Sequence, residues 1–287
     1  MSVSDNFRSF CNALVQKDVS ARYKLITQRL NNDFRGLNSD TAYSLYIGSH
    51  GRRTATSKTS DVDMLYQLPY EVYEQYNNYS GNGQSALLQA VRTSIQKTYS
   101  TTSIGADGQV VVIPFTDKIK FEVLPAFINK NGSFTYPDSN NGGSWKSTDP
   151  KPEIEAMKAR DAIYNDNLRR LCRMMRVWKE EHNVPIKGLL IDTLAYQFMP
   201  GWQYNDKSYV YYDYMVRDFF LYLSSQDSTK TYWLAPGSSE RVHRTGAFEY
   251  RAKQAYKLAL EAIDHEQNKR PYSERAKWRE IFGTTYP

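Results

Sequence analysis

One segment in the first quarter of the chain carries residue types that could do chemistry together. It reads GSHGRRTATSKTSDVD and begins at Gly48 and Ser49. After eleven further residues it ends in Asp61 and Asp63, with Val62 between them. In a strand, successive side chains alternate between two faces, so Asp61 and Asp63 point the same way while Val62 points into the core. Two adjacent carboxylates repel each other unless a cation lies between them, and Mg²⁺ prefers such hard oxygen ligands.

A third acidic residue is expected on a neighbouring strand. The segment KIKFEVLPAF at 118–127 has the pattern of a strand, and Glu122 alternates there with the apolar Phe121 and Val123. Together with the two aspartates, Glu122 would complete a catalytic site for two Mg²⁺ ions, with Mn²⁺ as the alternative. In such a site one metal lowers the pKa of an attacking hydroxyl and the other neutralises a leaving pyrophosphate, which is the chemistry of nucleotidyl transfer.

The Gly-Ser pair has a role in the same chemistry. Gly48 follows the β-rich run YSLYI and lets the backbone approach a phosphate, while Ser49 offers a hydroxyl and an N–H. Arg52 and Arg53 are further candidates for phosphate contacts, with simple solvation as the alternative for at least one of them. The alternative for the acidic pair is an exposed, amphipathic strand without function.

The strands and helices predicted around these residues indicate an α+β fold. Strands are predicted at 43–47, 61–68, 109–115 and 118–127, and helices within 7–34 and at 83–99. The stretch 129–152 is rich in Gly, Asn, Ser and Pro and is predicted to be a long loop between two lobes. Helices follow at 153–182, 189–199, about 209–224 and 246–268. We therefore predict a mixed sheet with helices in domain 1–150 and a mostly helical domain at 151–287.

Composition narrows the classes of protein. The 287 residues are 40% apolar and 24% charged, as in a globular protein, and a net charge of +6 favours anionic partners without requiring nucleic acid. Two cysteines and four histidines predict neither a disulfide framework nor a zinc site. No apolar run approaches the length of a membrane helix and the N-terminus lacks a signal-peptide pattern, so we expect a cytoplasmic protein without a membrane partner.

The motifs resemble those of a known family. Gly-Ser, a spacer of this length, two acids alternating with apolar residues and a third strand-borne acid are the signature of the polymerase-β-like nucleotidyltransferase superfamily. Three further segments resemble its bacterial cGAS/DncV-like branch, the CD-NTases. They are NDNLRRLCRMMRVWKEEH at 165–182, WLAPGSSERVHRTGAFEYRAKQAY at 233–256 and AKWREIFGTTYP at 276–287.

This resemblance implies a fold, an activity and a pathway. The fold would be a polymerase-β-like core and a helical lobe with the active-site cleft between them. The enzyme would join nucleoside triphosphates such as ATP and GTP into a cyclic oligonucleotide, most simply a cyclic dinucleotide. This product would act as a second messenger in anti-phage defence and reach a downstream effector. Asp61, Asp63 and Glu122 would be the metal ligands, and Gly48 and Ser49 would lie at the donor triphosphate.

In the helical lobe the resemblance implies further nucleotide contacts. Arg176 lies where relatives carry a phosphate-binding lysine, although arginine differs in geometry. Gly188 lies where relatives often have a serine, which leaves Lys187 or the backbone for that contact. Asn165 and Asn167 could read a base edge, with helix capping as the alternative. The zinc-binding insertion of animal cGAS is absent from the sequence, so we do not expect DNA to activate the enzyme by that route. We also expect a monomer.

Two other functions remain open at this point. A different enzyme of the superfamily would use the same three carboxylates to modify a small molecule, such as an aminoglycoside, or the 3′ end of an RNA. A catalytically silent nucleotide-binding module would keep the cleft but would normally lose one of the carboxylates. The sequence leaves open which bases are joined, through which hydroxyls, and whether two or three nucleotides form the ring.

Overall fold

The computed structural model describes residues 2–287, apart from the side chain of Asp107. The chain forms two compact units. The sheet unit comprises Lys17–Gly51 and Thr59–Lys151, and the helical unit comprises the chain up to Gln16, Arg52–Lys58 and Pro152–Pro287.

The helices and strands of both units follow one another along the chain. The α-helices are α1 (Val3–Ala13), α2 (Ser20–Arg35), α3 (Gly48–Gly51), α4 (Tyr70–Asn77), α5 (Gly83–Gln96), α6 (Lys151–Ile163), α7 (Asn167–Glu181), α8 (Gly188–Phe198), α9 (Tyr212–Ser224), α10 (Glu249–Gln267) and α11 (Pro271–Phe282). The strands are β1 (Ser44–Tyr46), β2 (Asp61–Gln67), β3 (Gly105–Asp107), β4 (Val110–Pro114), β5 (Lys120–Ile128), β6 (Phe134–Asp138), β7 (Ser144–Thr148), β8 (Tyr232–Leu234) and β9 (Arg241–His243).

The sheet unit is built on one mixed sheet. Its main strand order is β1-β2-β5-β4-β3, and β6 and β7 extend it from the far end of β5. β2 and β5 are parallel, whereas the other neighbours pair antiparallel. Apolar side chains from β2, β4 and β5 pack with those of α2 and α5 into one core, because alternate residues of each strand face the helices. The predicted α+β class with a mixed sheet is confirmed.

The helical unit has its own aromatic-rich core. α1 belongs to this core rather than to the sheet unit, because Phe7 and Phe10 are fully buried against the C-terminal residues Trp278, Phe282 and Tyr286. The compact units therefore differ from the predicted division at residue 150 in two segments, α1 and Arg52–Lys58. Segments belong to the same unit because their side chains are buried together, and this burial cannot be inferred from their order along the chain.

Two of the secondary-structure predictions are wrong. The predicted loop at 129–152 contains the β6–β7 hairpin, because Phe134 inserts into a small core while the Gly- and Asn-rich pieces form its turns. The predicted helix at 153–182 is two helices, α6 and α7. Asn165 and Asp166 adopt positive φ angles of 50° and 62° between them, which a right-handed helix cannot continue.

None of the helices within residues 2–287 combines the length and the apolar character that a transmembrane span requires.

Candidate active site

The acidic residues predicted to do chemistry lie on two neighbouring parallel strands. In the β2–β5 register, Asp63 pairs with Glu122 and Asp61 pairs with Lys120. Val62 is buried in the core, so the alternation of strand side chains turns Asp61 and Asp63 to the opposite face. Because paired residues of parallel strands point to the same side, Asp61, Asp63 and Glu122 share one face at the start of β2 and β5. Neighbouring strands are about 4.8 Å apart, so the three carboxylates are close to one another.

Gly48 lies directly against this face. Its φ is +58°, a left-handed conformation that favours glycine, and it is the first residue of the one-turn helix α3. A Cβ built on Gly48 would collide with the carboxylate of Asp63. The backbone N–H of Ile47 donates to the carbonyl of Asp63 at 3.0 Å and holds the two segments together. The structure therefore places Gly48 directly against Asp63, and the role of the Gly48-Ser49 pair in phosphate binding stays a prediction.

A lysine lies among the carboxylates. The Nζ of Lys120 is 2.6 Å from Oε1 of Glu122 and 3.4 Å from Oδ1 of Asp61. The hydrogen bond to Glu122 raises the pKa of Lys120, and the charge of Asp61 adds to this effect. Lys120 is therefore a cation at neutral pH that two of the three carboxylates share.

The donor types suit Mg²⁺ or Mn²⁺, but the arrangement is not a closed metal site. In the part of the chain that the structure describes, no three His, Cys, Asp or Glu side chains are grouped closely enough to hold a metal ion. Carboxylate oxygens are the ligands that Mg²⁺ prefers, and the Lys120 ammonium already lies as a stand-in cation between Asp61 and Glu122. The three carboxylates thus have the donor chemistry that Mg²⁺ or Mn²⁺ requires, and two of them are in contact with the Lys120 ammonium.

The predicted residues of the helical unit have other partners in the structure. Arg176 is buried and donates from Nη1 and Nη2 to the two carboxylate oxygens of Asp192, at 2.6 and 2.8 Å. Arg52 and Thr54 also donate to Asp192, at 3.0 and 2.9 Å. Burial opposes ionisation of Asp192, but the two guanidiniums outweigh it and lower the pKa of this carboxyl to about 2. A phosphate contact from Arg176 stays a prediction.

The lack of a side chain at Gly188, at the start of α8, is explained by the position of Arg176 beside it. Its carbonyl accepts from Nη2 of Arg176 at 3.2 Å. A Cβ at Gly188 would lie 3.1 Å from that same nitrogen, closer than ordinary packing allows. The absence of a side chain at Gly188 thus leaves room for the guanidinium of Arg176.

The remaining predicted residues are divided between buried and exposed positions. Asn167 is fully buried and donates to the carbonyls of Asn205 and Lys207, each at 2.8 Å. Asn165 is exposed, and its amide lies 3.4 Å from the carbonyl of Asp206. Lys187 is exposed immediately before α8. Base reading by the two asparagines and phosphate binding by Lys187 stay predictions.

Two features of these sites were not predicted from the sequence. The alternation in KIKFE already places Lys120 on the same face as Glu122, so this lysine could have been found from the strand pattern alone. The pairing of Arg52 with Asp192 joins residues 140 positions apart and leaves no local signal.

A mixed sheet with acidic residues on two adjacent strands and a Gly-Ser turn against them defines a nucleotidyltransferase of the polymerase-β-like class. Comparison with known proteins agrees with this class. The family model "Second Messenger Oligonucleotide or Dinucleotide Synthetase domain" matches residues 1–161. Among curated protein sequences, none matches this chain.

Solved structures of low sequence identity share the fold over most of the chain. CdnC of E. coli MS115-1, solved in a complex with HORMA-deltaN, is 16% identical with a TM-score of 0.68, covering 99% of this chain and 98% of that one. The CdnE cyclic dinucleotide synthase of Elizabethkingia meningoseptica, solved with GTP and Apcpp, is 12% identical with a TM-score of 0.63, covering 90% and 97%. The Vibrio cholerae DncV cyclic AMP-GMP synthase is 14% identical with a TM-score of 0.59, covering 85% and 69%.

This chain belongs to the family of Second Messenger Oligonucleotide or Dinucleotide Synthetase domains, the bacterial cGAS/DncV-like nucleotidyltransferases. It is an enzyme of the nucleotidyltransferase type.

Proposed function

We propose that this enzyme joins nucleoside triphosphates into a cyclic oligonucleotide, with a cyclic dinucleotide as the simplest product. The observation that carries the proposal is the parallel register of β2 and β5, which sets Asp61, Asp63 and Glu122 on one face against Gly48. The family to which the chain belongs supports a nucleotide as the acceptor, rather than an aminoglycoside or an RNA end.

Asp61, Asp63 and Glu122 are the residues that would hold divalent cations, two Mg²⁺ ions or Mn²⁺. When bound, such ions would lower the pKa of the attacking ribose hydroxyl and neutralise the leaving pyrophosphate. The protein's own contribution is positioning. Gly48 allows the backbone to come close to Asp63, and Ser49 offers its hydroxyl and N–H to the phosphates of the donor.

The acceptor hydroxyl would attack the α-phosphate of the donor in line and expel pyrophosphate. The linear product, which keeps its own 5′-triphosphate, would then turn in the same site. Its free ribose hydroxyl would attack the α-phosphate of that triphosphate, close the ring and expel a second pyrophosphate. Catalysis of this kind rests on positioning and on neutralising charge, so neither a histidine nor a cysteine is needed. This proposal rests on the sheet unit alone, and it does not require Arg176, Lys187, Asn165 or Asn167.

The biological role follows from the proposed product. We propose that the cyclic oligonucleotide is a second messenger of anti-phage defence that switches on a separate effector. The enzyme would act in the cytoplasm as a monomer, with ATP and GTP among its substrates. The relatives from Elizabethkingia and Vibrio are a cyclic dinucleotide synthase and a cyclic AMP-GMP synthase, which supports a cyclic dinucleotide as the product.

Incubation of the purified chain with labelled ribonucleoside triphosphates and Mg²⁺ tests the activity. We expect a product that resists phosphatase, whose mass shows a ring of two or three nucleotides. The double variant Asp61→Asn with Asp63→Asn should form none, because it removes two of the three charges that hold the cations. The control is Asp40→Asn, which removes a carboxylate from a 3.7 Å surface ion pair in the same unit and should leave the product unchanged.

The same assay separates the rival functions. Transfer to an added aminoglycoside or RNA end, without a phosphatase-resistant product, would assign the chain to another branch of the superfamily. An intact wild-type protein that binds nucleotide but forms no product with any acceptor would be a silent binding module. A resistant product from the double variant would contradict the assignment of Asp61 and Asp63.

A further inference from the structure

Lys120 is placed where a cation would be expected to bind. On β5 it alternates with Phe121 and therefore shares a face with Glu122. The parallel register sets it beside Asp61 on β2. Its ammonium lies 2.6 Å from the Glu122 carboxylate and 3.4 Å from that of Asp61, and about a third of its side chain is exposed.

Acidic side chains outnumber the lysine on this face. Asp61, Asp63 and Glu122 are three acidic groups, and Lys120 contacts two of them. A lysine ammonium is a compact charge on a flexible stem, so it can leave the carboxylates without any movement of the backbone. A divalent ion that takes both Asp61 and Glu122 as ligands would lie close to the ammonium of Lys120, which now contacts one oxygen of each carboxylate.

We propose that Lys120 is an internal counter-cation that a divalent metal must displace, and that it thereby sets the metal affinity of the site. This inference rests on the proposed function insofar as Asp61 and Glu122 are metal ligands. In the metal-free protein Lys120 holds the two carboxylates together and reduces their repulsion. When a metal ion approaches, the same ammonium repels it and competes for Glu122.

The expected size of this effect follows from Coulomb's law. Two unit charges about 4 Å apart in water interact strongly enough to change an equilibrium constant about fivefold, and a divalent ion doubles the charge involved. Some of this repulsion is relieved because the lysine can swing into solvent. Removal of the charge at position 120 should therefore tighten metal binding by about five- to tenfold.

Binding of Mn²⁺ without nucleotide tests the proposal, because it does not depend on catalysis. Free Mn²⁺ is followed by electron paramagnetic resonance while it is titrated with the wild-type protein or with Lys120→Met. The variant should bind Mn²⁺ with a Kd about five- to tenfold lower. The control is Lys130→Met, an exposed lysine two residues beyond the end of β5, which should leave the Kd unchanged. Equal or weaker binding by Lys120→Met overturns the proposal.

A second measurement covers the case in which methionine disturbs the fold. Lys120→Gln removes the charge but keeps hydrogen-bonding capacity. In EDTA both Lys120 variants should melt at a lower Tm than the wild type, because their carboxylates are no longer neutralised. Saturating Mn²⁺ should raise their Tm by more than it raises that of the wild type. If Mn²⁺ raises all three Tm values equally, Lys120 does not compete with the metal and the proposal is wrong.

These outcomes are separable from failure of the proposed function. If no cyclic product forms but Lys120→Met binds Mn²⁺ more tightly, the inference holds and the product assignment fails. If the product forms and the Kd values of wild type and Lys120→Met are equal, the proposed function holds and the inference fails.

Discussion

Among single residues, Gly48 makes the closest backbone approach to the proposed site, directly against Asp63. Both the positive φ of Gly48 and the missing Cβ are needed, because a methyl group there would push against the Asp63 carboxylate. Small displacements of catalytic groups have large effects on rate, since the reacting atoms must be held within a few tenths of an ångström.

Gly48→Ala should therefore lower the rate of product formation by about 100-fold or more. The matched control is Gly36→Ala, because Gly36 has a nearly identical φ of +61° but no other part of the chain within 4 Å of the place that a Cβ would occupy. Both substitutions strain the backbone by about 1 kcal/mol or somewhat more, so both should lower Tm slightly. The rate of product formation is measured for both variants, and only Gly48→Ala should lose activity. Equal rates would show that the close approach of Gly48 to Asp63 is not needed for catalysis.

Asp192 is a buried carboxylate whose pKa is lowered by two neighbouring arginines. It is fully buried and forms ion pairs with both Arg176 and Arg52, and Arg52 also pairs with Glu153. Asp192→Asn should destabilise the protein by about 3–5 kcal/mol, because it removes the carboxylate that pairs with the buried Arg176 and leaves Arg52 with Glu153 alone. Asp206→Asn, which removes an exposed ion pair with Lys207, should cost less than about 1 kcal/mol. Urea denaturation measures both values, and similar losses would contradict the role of the buried network.

Among the secondary-structure elements, α1 is held to the helical unit by aromatic packing. The ring of Phe7 meets those of Trp278, Tyr286 and Tyr212 edge to face, at centroid distances of 5.1, 5.4 and 6.3 Å. Aromatic rings favour this geometry, and Phe7 is completely buried. The first and last segments of the chain thereby share one core.

Phe7→Ala should lower the free energy of unfolding by about 3–5 kcal/mol, through lost burial and the cavity left among the aromatic rings. The control on the same helix is Arg8→Ala, since more than half of the Arg8 side chain is exposed, and its loss should be within about 0.5 kcal/mol. Thermal melting of both variants provides the comparison. A Phe7→Ala protein as stable as Arg8→Ala would show that α1 does not contribute to the core.

For the molecule as a whole, buried acids make the stability depend on pH. Burial raises the pKa of Asp213 to about 7, and the nearby Glu266 acts in the same direction. Burial, with Glu266, also raises the pKa of Glu274 to about 7. Tyr286 lies beside Glu274, and its own pKa is raised mainly by burial.

The sign of the pH dependence follows from these directions. A carboxyl whose pKa is raised by folding binds its proton more tightly in the native state, so its stabilising effect is complete below about pH 4 and is lost as pH rises to about 7. Between about pH 4 and pH 7, the free energy of unfolding should fall by about 1.4 kcal/mol for each unit of rising pH because of Asp213. Asp213→Asn should flatten the dependence, and urea denaturation from pH 4.5 to 7.5 measures the difference. Parallel curves for wild type and variant would contradict it.

The amino-acid sequence was sufficient to predict the class of enzyme, and it supplied the residues of the proposed site. Gly48-Ser49, the alternating Asp61 and Asp63, and the strand-borne Glu122 were recognisable because strand alternation is a local property. The mixed sheet was predictable for the same reason. The β6–β7 hairpin and the break between α6 and α7 were not, because a buried Phe134 in one case and left-handed Asn165 in the other override the local pattern.

The contacts between charged side chains depend on the folded structure. The fold pairs Asp63 with Glu122 and inserts Lys120 between two carboxylates, and it binds Arg176 to Asp192 rather than leaving it exposed. The physical reason is that electrostatic interactions depend on distances in space, which strand register and burial set between residues far apart in sequence. The sequence therefore supplied the residues of the proposed site, whereas the ion pairs that Lys120 and Arg176 form became visible only in three dimensions.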